Sequence, residues 1–314
     1  MITAVTLNPT LDICFEIDAF LAGSVHRAKR AFSYPGGKGT NVARGIAALG
    51  GKVSALGFCA AESVKDCASV LEKGGVKPRL IAAAGRNRPC CIISSPDGET
   101  VINSESSIGI TPGLRKKMLS RISELSAKSS VMVFSGSLPL ALSPGFYADC
   151  VYNSRDNCVV ILDTSSKYLS LGVKARPHII KQNLGEYILA FGKTGAGKKQ
   201  LATSMEKTRK KYGLHAVIIT LGARGSALCD KSGFSMIPPV SVPGAVSSVG
   251  SGDAYSAGLA FGIEKGLNIY ESCALASACG AANTKYSGSC FFSSKDVKEA
   301  LPLAPAFAGL TRLL

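Results

Sequence analysis

The run Val249-Gly250-Ser251-Gly252-Asp253-Ala254-Tyr255-Ser256-Ala257-Gly258 places two glycines at the start of a predicted helix. The first turn of a helix has backbone N–H groups without intrahelical partners, and the helix dipole is positive there. Gly250, Ser251 and Gly252 are therefore predicted to form an anion hole. Asp253 falls in the first turn, where its carboxylate could serve as a weak base. Taken alone, the run fits a capped helix after a glycine turn equally well.

Around this run, apolar strands alternate with helices, which is the pattern of a parallel sheet covered by helices. We expect residues 1–314 to form a single domain. The predicted strands are Val53–Phe58, Val131–Ser135, Val159–Asp163, His178–Lys181 and Ala216–Leu221. The predicted helices are Val42–Leu49, Leu114–Ser126, Pro144–Tyr152, Leu201–Tyr212, Asp253–Lys265 and Ile269–Tyr286.

Two segments interrupt this alternation, at about 11–34 and 89–104. Both have the composition of antiparallel strands joined by turns, and Ser95-Pro96-Asp97-Gly98 is a strong turn signal. They predict a small β-sheet appended to the main domain. Such a sheet could close over a site as a lid.

Composition limits the classes of function and the compartment. The net charge of +15 suits an anionic ligand without choosing one, and no RNA-binding or zinc-finger pattern accompanies it. No apolar run of about 18 residues predicts a membrane span, and the N-terminus lacks the features of a signal peptide. The eleven cysteines are scattered and never form a CxxC pair. They predict buried, reduced thiols in a cytoplasmic protein. From the charge pattern and the lack of a predicted membrane span, we expect that the protein binds neither nucleic acid nor membrane.

A second glycine-rich stretch is Pro35-Gly36-Gly37-Lys38-Gly39-Thr40-Asn41-Val42-Ala43. Its glycines would permit a close approach of the backbone to a ligand, and Lys38 adds a positive charge. An ordinary glycine turn is the alternative interpretation.

Two strand ends carry further candidates for a nucleotide site, because open α/β sheets bind ligands at the carboxyl ends of their strands. Thr220-Leu221-Gly222-Ala223-Arg224-Gly225-Ser226 offers a glycine-containing turn for nucleotide contact. Lys181-Gln182-Asn183-Leu184-Gly185-Glu186 offers an amide and a carboxylate that could order magnesium-bound water near a triphosphate.

The stretch from Gly192 to Lys199 nearly matches a P-loop. A true P-loop follows a core strand and has Ser or Thr after its lysine, whereas Lys199 stands there and the preceding residues 186–191 are predicted to be helical. We predict a solvated basic loop.

The sequence resembles the PfkB carbohydrate kinases, and within them the branch of 1-phosphofructokinase and tagatose-6-phosphate kinase. The similarity runs over nearly the whole chain. The motifs that carry it are Val5-Thr6-Leu7-Asn8-Pro9-Thr10-Leu11-Asp12, Gly36-Gly37-Lys38-Gly39 with Asn41, Ser135-Gly136-Ser137-Leu138-Pro139, Leu162-Asp163-Thr164-Ser165 and Gly250-Ser251-Gly252-Asp253.

The resemblance implies a ribokinase-like three-layer sandwich with a mostly parallel sheet and a small β lid. It also implies an ATP-dependent transfer of phosphate to a ketohexose phosphate, with Mg²⁺. Asp253 would be the catalytic base beside the anion hole of Gly250, Ser251 and Gly252. The implied substrate residues are Asp12, Arg27, Gly36, Gly37, Lys38, Asn41 and Arg88. The implied ATP residues are Lys181, Asn183, Glu186, Thr220, Gly222 and Gly225, with Glu186 also near magnesium through water.

Several positions depart from the family pattern: Gln182 replaces a proline, His26 an asparagine and Asn87 a threonine. The last two lie on the expected sugar side.

Arg27, Lys38 and Arg88 suit a phosphorylated sugar better than a neutral one. Fructose 1-phosphate is favoured over tagatose 6-phosphate. Another PfkB sugar or nucleoside kinase, and a non-catalytic polyanion-binding protein on the same fold, are the alternatives. A homodimer through the lid is also left open.

Overall fold

The strands form two sheets in the computed structural model, which describes residues 1–195, 197–301 and 310–314. In chain order the strands are β1 (Ile2–Thr6), β2 (Thr10–Glu16), β3 (Arg30–Gly36), β4 (Val53–Ala60), β5 (Lys77–Ala83), β6 (Arg88–Ser95), β7 (Gly98–Asn103), β8 (Val131–Ser135), β9 (Val159–Asp163), β10 (Ile179–Asn183), β11 (Ala216–Thr220), β12 (Ser226–Asp230) and β13 (Gly233–Ile237). The helices are α1 (Lys38–Ala48), α2 (Val64–Lys73), α3 (Pro112–Ser126), α4 (Phe146–Tyr152), α5 (Ser166–Gly172), α6 (Leu184–Phe191), α7 (Lys198–Tyr212), α8 (Ser251–Glu264), α9 (Ile269–Asn283) and α10 (Ser294–Ala300).

The main sheet has nine strands in the order β13-β12-β11-β10-β9-β8-β1-β4-β5. Its seven strands from β5 to β11 pair in parallel, and β12 and β13 add an antiparallel hairpin at one edge. The chain builds outward from β1 to β5 and then returns to place β8 on the other side of β1. This reversal creates a switch point between β1 and β8, where open α/β sheets bind ligands.

Both faces of the main sheet are covered by helices. The helices α1, α8, α9 and α10 contribute to one hydrophobic cluster, and α3 to α7 contribute to the other. Every residue of β1, β4 and β8 is buried as a result. Continuous apolar strands are expected where both faces of a parallel sheet are covered.

The second sheet has four strands in the order β3-β2-β6-β7, and we call it the lid sheet. The pairs β2–β3 and β6–β7 are antiparallel, whereas β2 and β6 are joined in parallel. Its buried apolar side chains form a small cluster of Cys14, Tyr34, Cys90 and Ile92. The second strand pair turns at Pro96-Asp97, within the predicted turn.

The predicted fold class is confirmed, and the bounds of β8 and β9 agree with the prediction. The predicted start of α1 at Val42 is wrong, because the helix begins at Lys38. Gly37, with φ of 99°, makes the turn into the helix. Gly39 lets the first turn lie against β1, since a Cβ there would come within 2.3 Å of the Val5 carbonyl oxygen. The predicted end of the later helix at Tyr286 is also wrong, because α9 ends at Asn283.

Three further features can be read from the structure: the near-P-loop stretch, the cysteines and the lengths of the helices. The near-P-loop stretch follows α6 rather than a strand and leads into α7, with residue 196 outside the described residues. All eleven cysteines are free thiols, and ten of them are buried. Within the described part of the chain, no helix has the length and apolar character needed to cross a membrane.

Candidate active site

The candidate site lies at the carboxyl ends of the main-sheet strands, beside the switch point. There β9 ends in Asp163 and β10 ends in Asn183, while α8 begins at Ser251. Side chains from α1 join them through hydrogen bonds and an ion pair described below. Residues far apart in sequence thus meet at one edge of the sheet.

Asp253 is buried in the first turn of α8, three residues after Gly250. Its carboxylate oxygen Oδ2 accepts a hydrogen bond of 2.9 Å from Asn41 Nδ2. Burial raises the pKa of Asp253 to about 6, and the negative charge of Asp163 adds to the rise, although Lys38 opposes it. A carboxylate with this pKa is a better proton acceptor than an exposed aspartate and is still ionised at neutral pH.

Gly250 has a left-handed backbone with φ of 80° and leads into α8. A Cβ at this position would lie 2.5 Å from Cα of Ser289, so only glycine fits. The first-turn N–H groups of α8 lack intrahelical partners, which suits them to an anion. The Lys181 ammonium donates a hydrogen bond of 2.9 Å to the Gly252 carbonyl and so holds the first turn of α8 in place.

Asp163 is a fully buried carboxylate that three side chains hold in place. Its oxygens lie 2.9 Å from Lys181 Nζ, 3.5 Å from Lys38 Nζ and 2.6 Å from Ser256 Oγ. Burial alone would raise its pKa, but the two ammonium groups and the hydrogen bonds outweigh it and lower the pKa to about 2. Asp163 is therefore ionised throughout the neutral range, as a buried charge with good partners can be.

Lys38 bridges two carboxylates while staying partly open to solvent. Its Nζ lies 3.5 Å from Asp163 and 3.4 Å from Glu186, and 37% of its side chain is exposed. Asp163 is the main cause of its raised pKa, and Glu186 adds to it. Lys38 is thus a fixed positive charge with an open side, which can face an incoming phosphate.

Asn183 and Glu186 form a capping box at the start of α6. Asn183 Oδ1 accepts from the Glu186 N–H at 2.8 Å, and Glu186 Oε2 accepts from the Asn183 N–H at 2.9 Å. The other Glu186 oxygen, Oε1, accepts a hydrogen bond of 3.4 Å from Lys38 Nζ. The described residues contain no group of three or more His, Cys, Asp or Glu side chains placed to hold a metal ion. Both Glu186 oxygens thus have partners within the protein, so this carboxylate fits a metal contacted through water and phosphate oxygens better than one bound directly.

The predicted nucleotide side extends along the next strand. Thr220 pairs in register with Asn183, and the turn that follows β11 contains Gly222 and Gly225. Gly225 has φ of 83°, and a Cβ there would lie 2.2 Å from the Ile237 carbonyl oxygen. A cleft of about 460 Å³ opens beside this turn and is lined by Leu184, Leu221, Arg224, Ile237, Pro238 and Pro239 among others. Its mainly apolar walls could accept a flat base.

The lid sheet brings the predicted sugar residues Asp12, Gly36 and Arg88 together. Asp12 is buried, accepts a hydrogen bond from Thr10 and leaves no room for a side chain at residue 36. Burial raises the pKa of Asp12, while Thr10 and the charges of Arg44 and Arg88 act against the rise. The lid therefore presents a carboxylate with guanidinium groups nearby.

Arg88 and Arg27 differ in how well they are placed. Arg88 donates hydrogen bonds to Asn103 Oδ1 at 3.0 Å and to the Ser104 carbonyl at 3.2 Å, and its buried Nε has no partner among the described residues. Arg27 is exposed in the connection 17–29 between β2 and β3. Among the described residues, no hydrogen bond or ion pair joins Arg27 to the other predicted site residues.

Sequence reasoning assigned no role to Asp163, Ser256 or Arg44. Arg44 Nη1 donates to Asn41 Oδ1 at 3.1 Å, and Nη2 donates to the Pro35 carbonyl at 2.8 Å. Its guanidinium also stacks on the Tyr34 ring at 4.6 Å. The contact with Asn41 follows from the spacing of three residues on α1, but the predicted helix began only at Val42 and so left Asn41 outside it. Asp163 could have been noticed as a lone carboxylate that ends an apolar strand.

The arrangement suits one kind of chemistry. A buried base lies beside a turn built to bind an anion, and fixed positive charges surround both. This is what a phosphotransferase that acts on the hydroxyl of a small molecule requires. The chain belongs to the pfkB family of carbohydrate kinases, whose family model matches residues 5–296.

Curated relatives carry the name 1-phosphofructokinase. The protein of that name from Haemophilus influenzae is 27% identical over 281 residues, covering 89% of this chain and 90% of its own length. The one from Escherichia coli K12 is 29% identical over 266 residues, covering 83% and 84%. The one from Borreliella burgdorferi is 28% identical over 301 residues, covering 96% of each.

Solved structures share the fold. Phosphofructokinase-2 from Escherichia coli, solved in complex with potassium, superposes with a TM-score of 0.86 at 20% identity, covering 96% of this chain and 97% of that one. Ribokinase from Thermotoga maritima gives a TM-score of 0.76 at 19% identity, covering 96% and 99%. The ribokinase-like fold is therefore established for this chain.

Proposed function

We propose that this protein transfers the γ-phosphate of ATP to a hydroxyl of a ketohexose phosphate and forms a bisphosphate, with fructose 1-phosphate as the acceptor. The choice of acceptor rests on the charged side chains around Asp12 on the lid sheet. There the positive charges of Arg44 and Arg88 oppose the burial that raises the pKa of the Asp12 carboxylate. A carboxylate binds sugar hydroxyls and guanidinium groups bind phosphate, so the pair suits a phosphorylated sugar. The names of the curated relatives support the same choice.

In the proposed reaction, Asp253 accepts the proton of the attacking hydroxyl. The hydroxyl oxygen forms a bond to the γ-phosphorus, and the bond from that phosphorus to the β–γ bridging oxygen breaks, which releases ADP. The transition state of such transfers is loose, so the proton leaves late and positioning dominates. Asn41 holds the Asp253 carboxylate, and Lys181 holds the turn of the anion hole through the Gly252 carbonyl.

For ATP we propose a position along the ends of β10 and β11, with Asn183, Thr220, Gly222 and Gly225 beside it and the cleft next to Gly225 receiving the base. Lys38 would face the phosphates. A magnesium ion bound to the triphosphate would neutralise part of its charge, with Glu186 acting through water. The occupied oxygens of Glu186 support this indirect role.

We propose that residues 1–314 act as one kinase domain and that the lid sheet closes over the acceptor. Arg27 would then reach the sugar phosphate only through a rearrangement of its exposed connection or from a second copy of the chain. The free thiols support a reducing compartment, and we propose the cytoplasm.

The outer face of the lid sheet supports a homodimer as part of the proposal. Alternation along β2 and β6 directs Ile13 and Cys91 away from the buried cluster, and these two residues are paired in register. Ile102 pairs with Cys91 from the neighbouring strand and is 53% exposed. An apolar sheet face of this kind can cover the same face of a second copy. Sedimentation of Ile102→Glu should show a lighter particle, whereas the control Val70→Glu on α2 should not change the mass.

The first experiment is an ADP-release assay with Mg-ATP and five acceptors: fructose 1-phosphate, tagatose 6-phosphate, fructose 6-phosphate, fructose and ribose. We expect turnover of fructose 1-phosphate in preference to the others, and its loss in Asp253→Asn. Product analysis must give fructose bisphosphate in amounts equal to the ADP released.

Each alternative result has a distinct meaning. Preference for tagatose 6-phosphate would replace the acceptor and keep the mechanism. Turnover of neutral sugars alone would contradict the role given to Arg88. If no acceptor is turned over while ATP binds, the proposed reaction fails for this panel.

A further inference from the structure

A carboxylate of the lid sheet grips the loop that leads into the anion hole. Glu99 lies at the start of β7, the edge strand of the lid. Its Oε2 accepts hydrogen bonds from the backbone N–H groups of Ser248 at 2.9 Å and Val249 at 3.2 Å. Its Oε1 accepts from the hydroxyl of Ser247. One side chain of the lid thus takes three donors from three consecutive residues of the main domain.

A second, independent contact joins the same two parts. The side chain of Val249 packs against the lid cluster of Cys14, Tyr34, Cys90 and Ile92. The Val249 carbonyl in turn accepts a hydrogen bond of 2.8 Å from the buried Asn283 of α9. Residue 249 is therefore held from the lid by its N–H and side chain and from the main domain by its carbonyl.

These contacts lie immediately before the catalytic turn. Gly250 follows Val249 and starts α8, and Asp253 comes three residues later. Only Gly250 separates Val249 from the first helical residue, Ser251, so a shift of Val249 acts at the N-terminus of α8. The geometry points to Glu99 as a positioning residue: by closing the lid onto residues 247–249, it sets the anion hole in place for phosphoryl transfer.

The inference rests on the proposed function and adds a coupling to it. Loop N–H groups that are not held by an acceptor return to water and fluctuate, so the anion hole would be formed only part of the time. Because the anion hole stabilises charge in the transition state, its loss should appear in kcat more than in KM. A lid contact that only covered the sugar would instead raise KM.

The test compares Glu99→Ala and Glu99→Gln with Asp97→Ala, a control in the exposed turn of the same hairpin. We expect Glu99→Ala to lower kcat about 10-fold or more, the usual range for losing a hydrogen bond to a charged group, with a smaller change in KM. Glu99→Gln can accept from one backbone N–H and should fall between the wild type and Glu99→Ala. Asp97→Ala should match the wild type.

Hydrogen exchange provides a measurement that does not need turnover. The amides of Ser248 and Val249, which donate to Glu99, should exchange faster in Glu99→Ala than in the wild type, while the amides of β8 should not change. If the wild type proves inactive with every acceptor, this measurement still tests the Glu99 contact separately from the proposed reaction. Unchanged exchange at 248 and 249 would overturn the inference whatever the rate does. Faster exchange with a wild-type kcat would overturn the coupling to catalysis.

Discussion

The main sheet and the lid sheet bury their strands to different extents. Every residue of β4 in the main sheet is buried, and helices cover both of its faces. In β7 of the lid, by contrast, most residues are exposed, and four buried side chains make up the whole cluster of that sheet. Apolar burial is the main stabilising contribution to a fold, so we expect the lid sheet to separate from the main domain at a lower free energy than the main sheet unfolds.

The same contrast holds for the polar residues at the site. On the main-sheet side, Asp163 is matched by Lys181, Lys38 and Ser256. On the lid side, Arg88 retains a buried N–H without a partner in the described chain. Among the residues that would touch the reactants, we expect the main-sheet side to govern the chemistry and the lid side to govern recognition. Their substitutions should therefore act on kcat from the main-sheet side and on KM from the lid side. Glu99 is the exception on the lid, because it acts through the loop that leads into α8.

The largest expected effect is on the rate, from the main-sheet side. Asp253→Asn should lower kcat by ~10²-fold or more, the range for loss of a general base, with KM for ATP nearly unchanged. The replacement keeps the shape and can still accept the hydrogen bond from Asn41. Steady-state kinetics measure both constants.

The matching substitution on the lid sharpens the result. Asp12→Asn should raise KM for the sugar phosphate more than it lowers kcat. If Asp253→Asn changed only KM, the division of labour between the two sheets would be wrong.

The next effect is on stability. Ile219→Ala, at a fully buried position of β11, should reduce the free energy of unfolding by about 2–5 kcal/mol. Ile92→Ala removes the same atoms from the lid cluster and should cost less in global unfolding, because the lid can open on its own. Urea denaturation followed by circular dichroism measures both. Equal losses would show that the lid unfolds only with the main sheet.

A smaller effect is expected for substrate binding at the lid. Arg88→Ala should raise KM for a phosphorylated sugar about 10-fold or more, as expected for a lost hydrogen bond to a charged group, and should change kcat little. Arg88→Lys should recover part of the loss. A neutral sugar serves as the control, since its KM should not change. Equal effects on both sugars would argue against a phosphate contact.

The smallest effect concerns pH. Because the pKa of Asp253 in the ligand-free protein is about 6, kcat/KM should fall as the pH drops below about 6, when the base becomes protonated. The hydrogen bond from Asn41 lowers this pKa, so Asn41→Ala should move the midpoint to higher pH. A pH–rate profile measures the midpoint. A shift to lower pH would contradict the hydrogen bond.

Stability should respond to the same group in the opposite direction. The folded pKa of Asp253 lies above the unfolded value of 3.8, so the folded state binds more protons between about pH 4 and 6. Acidification through this window therefore favours folding at Asp253 while it removes activity. Asp163 has a folded pKa of about 2, so its stabilising contribution to the folded state is lost only as the pH falls from about 4 to 2.

How much could be predicted from the sequence differs between these parts. Strands β8 and β9 were predicted at their observed bounds, because strands buried on both faces are continuous apolar runs. The start of α1 could not be predicted, since glycine disfavours helices and only the close packing of Gly39 on β1 explains it.

The candidate site was predictable as a set of residue types but not as a network. Asp253 and Lys38 stand in recognisable motifs. The contacts of Asp163 depend on Lys181 and on Ser256, which is 93 residues away in sequence. The hydrogen bond from the Ser248 N–H to Glu99 joins residues 149 positions apart, and no local sequence pattern indicates it.

The close contacts of two glycines have a consequence for how the protein can vary. At Gly39 an added Cβ would meet the Val5 carbonyl, and at Gly250 it would meet the backbone of Ser289. Neither obstacle is the end of a flexible side chain, so neither can move aside. In a library that samples every residue at every position, these two sites should accept nothing but glycine, while the exposed connection around Arg27 should accept much. New acceptor specificities would therefore arise by changes in the lid and its connections, and the frame around the base would stay the same throughout.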